Sequence, residues 1–596
     1  MTFRKKHYIV LYLALWLILI AIPSGANPGG SRDTVLIRQI VSYLASDGLG
    51  GRKSGEPGDS LAAMYISHIL RSQGLEPLFS DGLQPFSLVS SVEMGENNSL
   101  SFNNINFEAK SDFLPYSFTA NSRVSAPAVF AGYGFSISQD SLQWNDYPDD
   151  LAKGKWVLIL KGDPEIDQPE SVFSPYSEDR YKVLAAQDKG AAGVILVAGP
   201  KFNEKDELQG IFYDKNSSRY SIPVIQINRK TADLLLSQSG KSVEQLEKEI
   251  NELRKPVGFS INQVVTAQAE VIQKTVMSQN IAAWLPGNDP LLKEEYIVIG
   301  AHYDHLGMGG PGSGSRMPDT LAIHYGADDN ASGVAMVVEL ARRFAHEKNN
   351  RRSIIFAAFG AEEMGLIGAT AFTSDPPVDL QSVKAMFNFD MVGRLDNNTR
   401  SLSIGGSQTA AETEDLLSSL NKDFSLQLSP EGSGPSDHAA FYMQNIPVFF
   451  VSTGAHADYH TPGDTKDRIN YAGMAEIADY MQEVILEVSN RAEVLSFKES
   501  GSMTRRSRGG RLKVTLGVMP DFAGQEKSGL RIDAVTKDKP AARAGVVRGD
   551  IITAINGNPV GNIYDYMNRL NALEEGQTIS VDIIREGKPM VIIVQL

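Results

Sequence analysis

The sequence predicts an α/β protein, with a mostly parallel central sheet, helices on both of its faces, and two further units attached. Three observations predict it. NIAAWLPG, YIVIGAHYDH, RSIIFAAFGAEE, AMFNFDMVG and IPVFFVST are near-continuous apolar runs, as expected of strands buried on both faces. Helical segments lie between them, notably Ala331–Glu347 and Tyr471–Ala492, and strands alternating with helices imply a parallel sheet covered by helices. At 596 residues the chain is too long for one core, so several domains are expected.

The N-terminus comes first. Arg4, Lys5 and Lys6 precede an apolar run from Tyr8 to Ile22, and Ser24-Gly25-Ala26 follows with small residues. This is the pattern of a cleaved export signal, residues 1–26. The run is short of the about 20 apolar residues a spanning helix needs. A periplasmic or secreted bacterial location is expected, with no membrane association after cleavage. Cysteine is absent, which excludes disulfides, thiol chemistry and a lipoprotein anchor. The formal net charge of −15 argues against a nucleic-acid partner, because phosphate binding needs Lys/Arg-rich surfaces.

Residues 33–120 and 265–495 read as one unit. Ile37, Ile40, Val41 and Leu44 keep helical spacing. A second helix, Ser60 to Gln73, carries Leu61, Met64, Tyr65, Ile69 and Leu70 on one face and closes at Gly74. Residues 82–120 alternate polar and apolar and read as strands. Residues 124–262 form an inserted unit. VSAPAVFAGYG and KGKWVLILKGDPE read as strands, and YKVLAAQDKGAAGVILVAG and IPVIQINRKTADLLL mix strand and helix. This insert resembles the protease-associated domain, a β-rich α/β fold. The polar, basic stretch 496–510 is a linker. In residues 511–596, RIDAVTKDKPAARAGVVRGDIITAINGNPV followed by the helix IYDYMNRLNAL closely resembles a PDZ domain. That resemblance implies capture of a partner's C-terminal peptide on a sheet edge. The loop Leu516-Gly517-Val518-Met519 would hold the peptide carboxylate.

The chemistry concentrates after the apolar runs. His302, Asp328, Glu363, Asp390 and His460 all follow such runs or lie in the next loop, where ligands collect in parallel α/β sheets. Two imidazoles and three carboxylates hold two zinc ions if one carboxylate bridges them. Asp328 in GADDNASG is read as that bridge, with Asp329 as its rival. Asp304, two residues after His302, is read as the acceptor that fixes the imidazole tautomer. Glu362 stands beside Glu363. Adjacent side chains point in different directions, so Glu363 can bind metal while Glu362 acts as general base on water. His305 is expected to point elsewhere, and His456 to be a loop residue near the site. His68, His324 and His346 are expected to be structural or solvated.

Together, HxD at His302 and Asp304, GADDNASG, GAEEMGLIGA, NFDMVG and HTPGDT resemble the zinc-dependent exopeptidase superfamily of bacterial leucyl aminopeptidases and glutamate carboxypeptidase II. The resemblance implies two zinc ions per chain and peptide substrates. It implies His302 and Asp390 on one ion, Glu363 and His460 on the other, Asp328 between them and Glu362 as base. It also implies a cis peptide at Asp328–Asp329. SDHAAF (Ser436, Asp437, His438) resembles a family segment near the pocket and receives no ligand role. GADDNASG is closer to the aminopeptidases, so release of N-terminal residues is the leading expectation. A carboxypeptidase or dipeptidase, or a one-zinc glutaminyl cyclase, is the alternative. A non-catalytic receptor is disfavoured because every position of the pattern is present.

Overall fold

The structure is a computed structural model. It describes residues 34–139, 142–168, 171–213, 219–500, 514–520, 528–535, 539–561, 563–571 and 573–596. The expected signal, residues 1–26, and most of the expected linker lie outside the described residues.

The strands Tyr296–His302, Ser353–Phe359, Val383–Phe389 and Val448–Ser452 form the parallel centre of a nine-stranded sheet. Antiparallel strands flank it. Val271–Leu285 pairs with Ser353–Phe359 on one side, and Ser401–Gly405 pairs with Val448–Ser452 on the other. Both faces of the centre are dry. Ile297, Ile299, Ile354 and Phe356 pack toward the helices Val35–Leu44, Gly333–Glu347 and Tyr471–Asn490. Val298, Ile355, Ala357 and Phe359 pack toward Ile367–Ser374 and His438–Tyr442. This is why those strands read as unbroken apolar runs. The helix expected at Ser60–Gln73 spans Pro57–Ser72, with proline in its first turn, where a missing N–H costs nothing.

The insert has its own eight-stranded sheet and buried residues on both faces. Its strands Ser122–Ala131, Trp156–Leu160, Gly193–Val197 and Val224–Ile227 run parallel. The sheet also draws in Ser99–Phe102, Ile105–Phe107 and Phe113–Pro115, and Gly258–Ala269 pairs with Ser122–Ala131. Residues 99–115, expected in the central unit, thus belong to the sheet of the insert. Alternating strands carry no mark of which sheet they join.

The C-terminal unit packs Leu516, Ile532, Val546, Ile552, Tyr566, Val581 and Val594 into one core. Its strand Val518–Pro520 lies at the edge of the sheet. This unit touches both of the others. Arg548 donates to the carbonyls of Thr373 and Ser374, and Arg569 forms a two-pronged ion pair with Asp188. No helix among the described residues is long and apolar enough to cross a membrane.

Candidate metal centre

The C-terminal ends of the four parallel strands converge on one cluster of titratable groups. His302 ends its strand, Glu362 and Glu363 follow Phe359, Asp390 follows Phe389, and His460 lies in the loop beyond Ser452. Arg52 locks the cluster from beneath. It is fully buried and donates to the carbonyls of Leu44, Tyr303, Tyr325 and Gly326. It thereby ties the first helix to the two chain segments that carry His302 and the paired aspartates.

The structure corrects the register at that pair. Asp329, not Asp328, faces the histidines. Its Oδ1 lies 3.3 Å from His302 Nε2, and its Oδ2 lies 3.1 Å from His460 Nε2. Asp328 is turned away: its Oδ1 accepts the Gly393 N–H at 2.6 Å and its Oδ2 lies 3.2 Å from His456 Nε2. The cis peptide joins Asp329 to Asn330, one bond beyond the expected place. Gly326 makes the turn possible. Its φ is +53°, and a Cβ there would come 2.1 Å from the Asp329 carbonyl oxygen. Three non-glycine residues at the site also take left-handed backbone: Ala361 before Glu362, Met391 after Asp390, and His460 itself. Such conformations persist only where the surroundings enforce them.

The donor atoms fall into two groups that share Asp329. His302 Nε2 is 3.5 Å from Asp390 Oδ1, and His460 Nε2 is 3.3 Å from Glu363 Oε1. Two ligand atoms on a tetrahedral zinc, with bonds of about 2.0–2.2 Å, sit about 3.3–3.5 Å apart. The observed spacings of 3.1–3.5 Å fall within about 0.2 Å of that geometry, and the nitrogen and carboxylate donors suit the same metal. His302, Asp329 and Asp390 form one compact set, and His305, Asp329 and Glu363 another.

His305 was expected to point elsewhere, yet it is buried against Glu363, with Nδ1 2.9 Å from Oε1 and 3.7 Å from Asp329 Oδ2. Its ring sits edge-on to His460, centroids 5.8 Å apart. Nothing in HYDHLG sets this histidine apart except its proximity to His302.

Asp304 also differs from expectation. The oxygen at hydrogen-bond distance from His302 Nδ1, 3.2 Å, is the Asp304 backbone carbonyl, and the carboxylate is 3.7 Å away. The carboxylate instead accepts the Glu362 N–H at 3.0 Å and the Ser54 hydroxyl at 2.9 Å, and so fixes the loop that carries the glutamate pair. Ser436, given no role from sequence, donates to Asp390 Oδ2 at 2.7 Å. Asp437 is fully buried with neither carboxylate oxygen hydrogen-bonded.

Electrostatics separate the two glutamates. Burial pushes Glu362 well above the usual carboxylate range, against the pull of His302, and the charges of Glu363, Asp437 and Asp390 add to the rise. Burial and Asp329 also push Glu363 upward, but His305 and His460 overcome them and hold it at about 2. His460 is drawn up to about 10, against its burial, by Asp329 and Glu363. Burial pushes Asp437 to about 8 against the pull of His302, and Asp304 and Asp390 add to the rise. A surplus of carboxylates in a water-poor pocket is a site built for cations.

Comparison with known proteins fits this geometry. Residues 280–485 match the description "Peptidase family M28". The central unit belongs to peptidase family M28. Residues 124–235 match the PA domain, and residues 513–596 match the PDZ domain. Aminopeptidase YwaD of Bacillus subtilis (strain 168) is 24% identical over 456 residues, spanning 75% of this chain and 83% of that protein. A probable leucine aminopeptidase of Arthroderma otae is 27% identical over 225 residues, 36% of this chain and 57% of that one. Among solved structures, an aminopeptidase from Aneurinibacillus sp. strain AM-1 superposes with a TM-score of 0.48 at 22% identity, covering 78% of this chain and 96% of the other. The M28-family unit, a hydrolase fold, thus shares this chain with a PA and a PDZ domain.

Proposed function

We propose that this protein is an exported two-zinc aminopeptidase, removing N-terminal residues from peptides. One observation carries the reading: Asp329 offers one oxygen to His302 and the other to His460, at 3.3 and 3.1 Å. One ion would be held by His302, Asp390 and Asp329, the second by His460, Glu363 and Asp329. His460 is assigned to the second ion because a single nitrogen addresses both oxygens. His305 addresses Glu363 alone at hydrogen-bond distance and would orient it. When bound, the ions would supply Lewis acidity that lowers the pKa of water to about 7 and polarises the scissile carbonyl.

The protein's own part is proton transfer and positioning. Glu362 takes the proton of the attacking water and delivers it to the leaving amine. Asp304 and Ser436 position Glu362 and Asp390. The relatives named as aminopeptidases support the choice of peptide end. The PDZ unit presents the open edge of Val518–Pro520, beside Gly517, to the C-terminal peptide of a partner.

The test is metal content and hydrolysis of aminoacyl-p-nitroanilides by the protein lacking residues 1–26, beside Glu362→Gln. The expected result is two zinc ions per chain in both proteins and a kcat about 10²–10⁴-fold lower in the variant. Cleavage only of N-blocked peptides with a free carboxyl end would replace the aminopeptidase with a carboxypeptidase. A single zinc per chain would favour glutaminyl cyclisation.

A further inference from the structure

The PA domain contains a cavity of about 280 Å³, lined by Tyr116, Phe118, Asp179, Gln209, Ile211 and Phe212 among others. Its half-buried acid is already matched. Asp179 accepts the Tyr116 hydroxyl at 2.7 Å and pairs with Lys161 Nζ at 3.0 Å, and that ammonium also donates to Gln209. The Arg180 guanidinium lies over the Phe118 ring at 4.4 Å. The Gln226 side chain accepts the Gln209 backbone N–H and donates to the Gln209 carbonyl. What remains toward solvent is the exposed Glu178 carboxylate and a lining that includes Tyr116, Phe118, Ile211 and Phe212.

This cavity adjoins the metal centre through one loop. Phe212 at its rim is 45% exposed, and its Cβ would lie 3.8 Å from a Cβ placed at Gly312. Two residues further on, the Gly314 carbonyl is 3.0 Å from His460 Nδ1. On either side of that loop, Met308, Met317 and Leu321 are exposed.

We infer that the cavity is a distal subsite of the peptidase, taking an apolar side chain from the downstream part of a peptide whose N-terminus sits at the metal centre. The inference rests on the aminopeptidase reading. It makes the preferred substrate a peptide long enough to cross loop 309–315, with a large apolar residue at the far end of that path, rather than a dipeptide.

The experiment compares leucine p-nitroanilide with two series of peptides, three to eight residues long and beginning with leucine. One series carries a single phenylalanine moved stepwise downstream, and the other carries glycine there. The proteins are wild type and Gly210→Trp. Gly210 lines the cavity, with ordinary backbone and nothing within 4 Å of an added Cβ, so a bulky side chain is accommodated there at the cavity's edge. In the wild type, kcat/KM is expected to rise about tenfold for phenylalanine over glycine at one downstream position, within the range one buried apolar side chain supplies. Gly210→Trp should abolish that gain and leave p-nitroanilide hydrolysis within about twofold. Equal rates for phenylalanine and glycine at every position would overturn the subsite, as would a variant that keeps the preference. If Gly210→Trp does not fold, Phe212→Ala, at an exposed position, carries the same readout. A wild type that cleaves neither p-nitroanilide nor free-amino peptides would instead remove the aminopeptidase reading, and the subsite with it.

Discussion

The carboxylate of Asp464 accepts the backbone N–H of Asp329 at 3.0 Å. The same oxygen takes the N–H of Asp328 at 2.9 Å, and the other oxygen takes Arg394 at 3.2 Å. Arg394 in turn reaches Asp458, which Arg468 also holds. A fully buried carboxylate therefore clamps the peptide that aims Asp329 between the two histidines. Asp464→Ala is expected to lower zinc affinity and kcat/KM about 10–100-fold, the usual cost of losing a partner behind a ligand. Asp464→Asn keeps an acceptor oxygen and should recover most of the loss. Zinc titration of the metal-stripped protein measures the affinity, and equal affinity in all three proteins would refute the clamp.

The register of the paired aspartates makes a sharper comparison. Asp329→Asn removes charge from the group set between His302 and His460, and is expected to cut p-nitroanilide hydrolysis at least about a hundredfold and to lower zinc stoichiometry. Asp328→Asn keeps an oxygen for the Gly393 N–H and should cost less than about tenfold. The reverse order of the two losses would restore Asp328 as the bridge.

Much of this arrangement was legible in the chain. Apolar runs ending in His302, Glu362, Glu363 and Asp390 announced parallel strands whose ends meet, because strands buried on both faces leave little alternation to misread. The choice between Asp328 and Asp329 was not legible. Both are aspartates in one small-residue turn, and what separates them is distant chain: the Gly393 amide, His456 and Asp464. His305 escaped for a related reason. Its neighbour Asp304 points at the Glu362 amide, and only the fold shows that the next side chain swings onto Glu363. The docking of the C-terminal unit was equally hidden, since Arg569 and Asp188 are 381 positions apart and neither belongs to a motif.

The PA domain supplies a pH prediction away from the metal centre. Lys182 is buried, donates to the Leu160 and Gly162 carbonyls, and lies 5.2 Å from the centroids of Tyr133 and Phe135. Burial lowers its pKa to about 7, although Asp179, Asp163 and Asp146 pull it upward. Between about pH 7 and the unfolded value near 10.5, the unfolded chain binds more protons at this residue than the folded one. Its contribution to stability therefore rises with pH across that window, by up to about 1.4 kcal/mol per pH unit. Lys182→Met should lack this component. Melting temperatures of the two proteins from pH 7 to 10 should show the wild type gaining on the variant, and parallel curves would contradict the assignment.

The last prediction concerns how the C-terminal unit is held. Arg569 is 8% exposed in its side chain, Asp188 is 28% exposed, and the guanidinium fork meets both carboxylate oxygens. A partly buried, two-pronged pair is worth more than a surface ion pair, and removing either partner strands the other. At the second contact, Arg548 donates to carbonyls at the end of the helix Ile367–Ser374, where a cation also meets the negative end of the helix dipole. The two contacts lie on different neighbours, so loss of one leaves the unit held by the other. Asp188→Ala and Arg569→Ala are each expected to destabilise the C-terminal unit, and the double variant to be little worse than either. A double-mutant cycle on the urea unfolding of that unit should return a coupling of about 1–3 kcal/mol. Hydrolysis of p-nitroanilides should be unchanged in all three variants, because the pair lies between the PDZ and PA units and touches none of the metal-centre residues. A coupling near zero would mean that Arg548 and the neighbouring packing hold the unit without the ion pair.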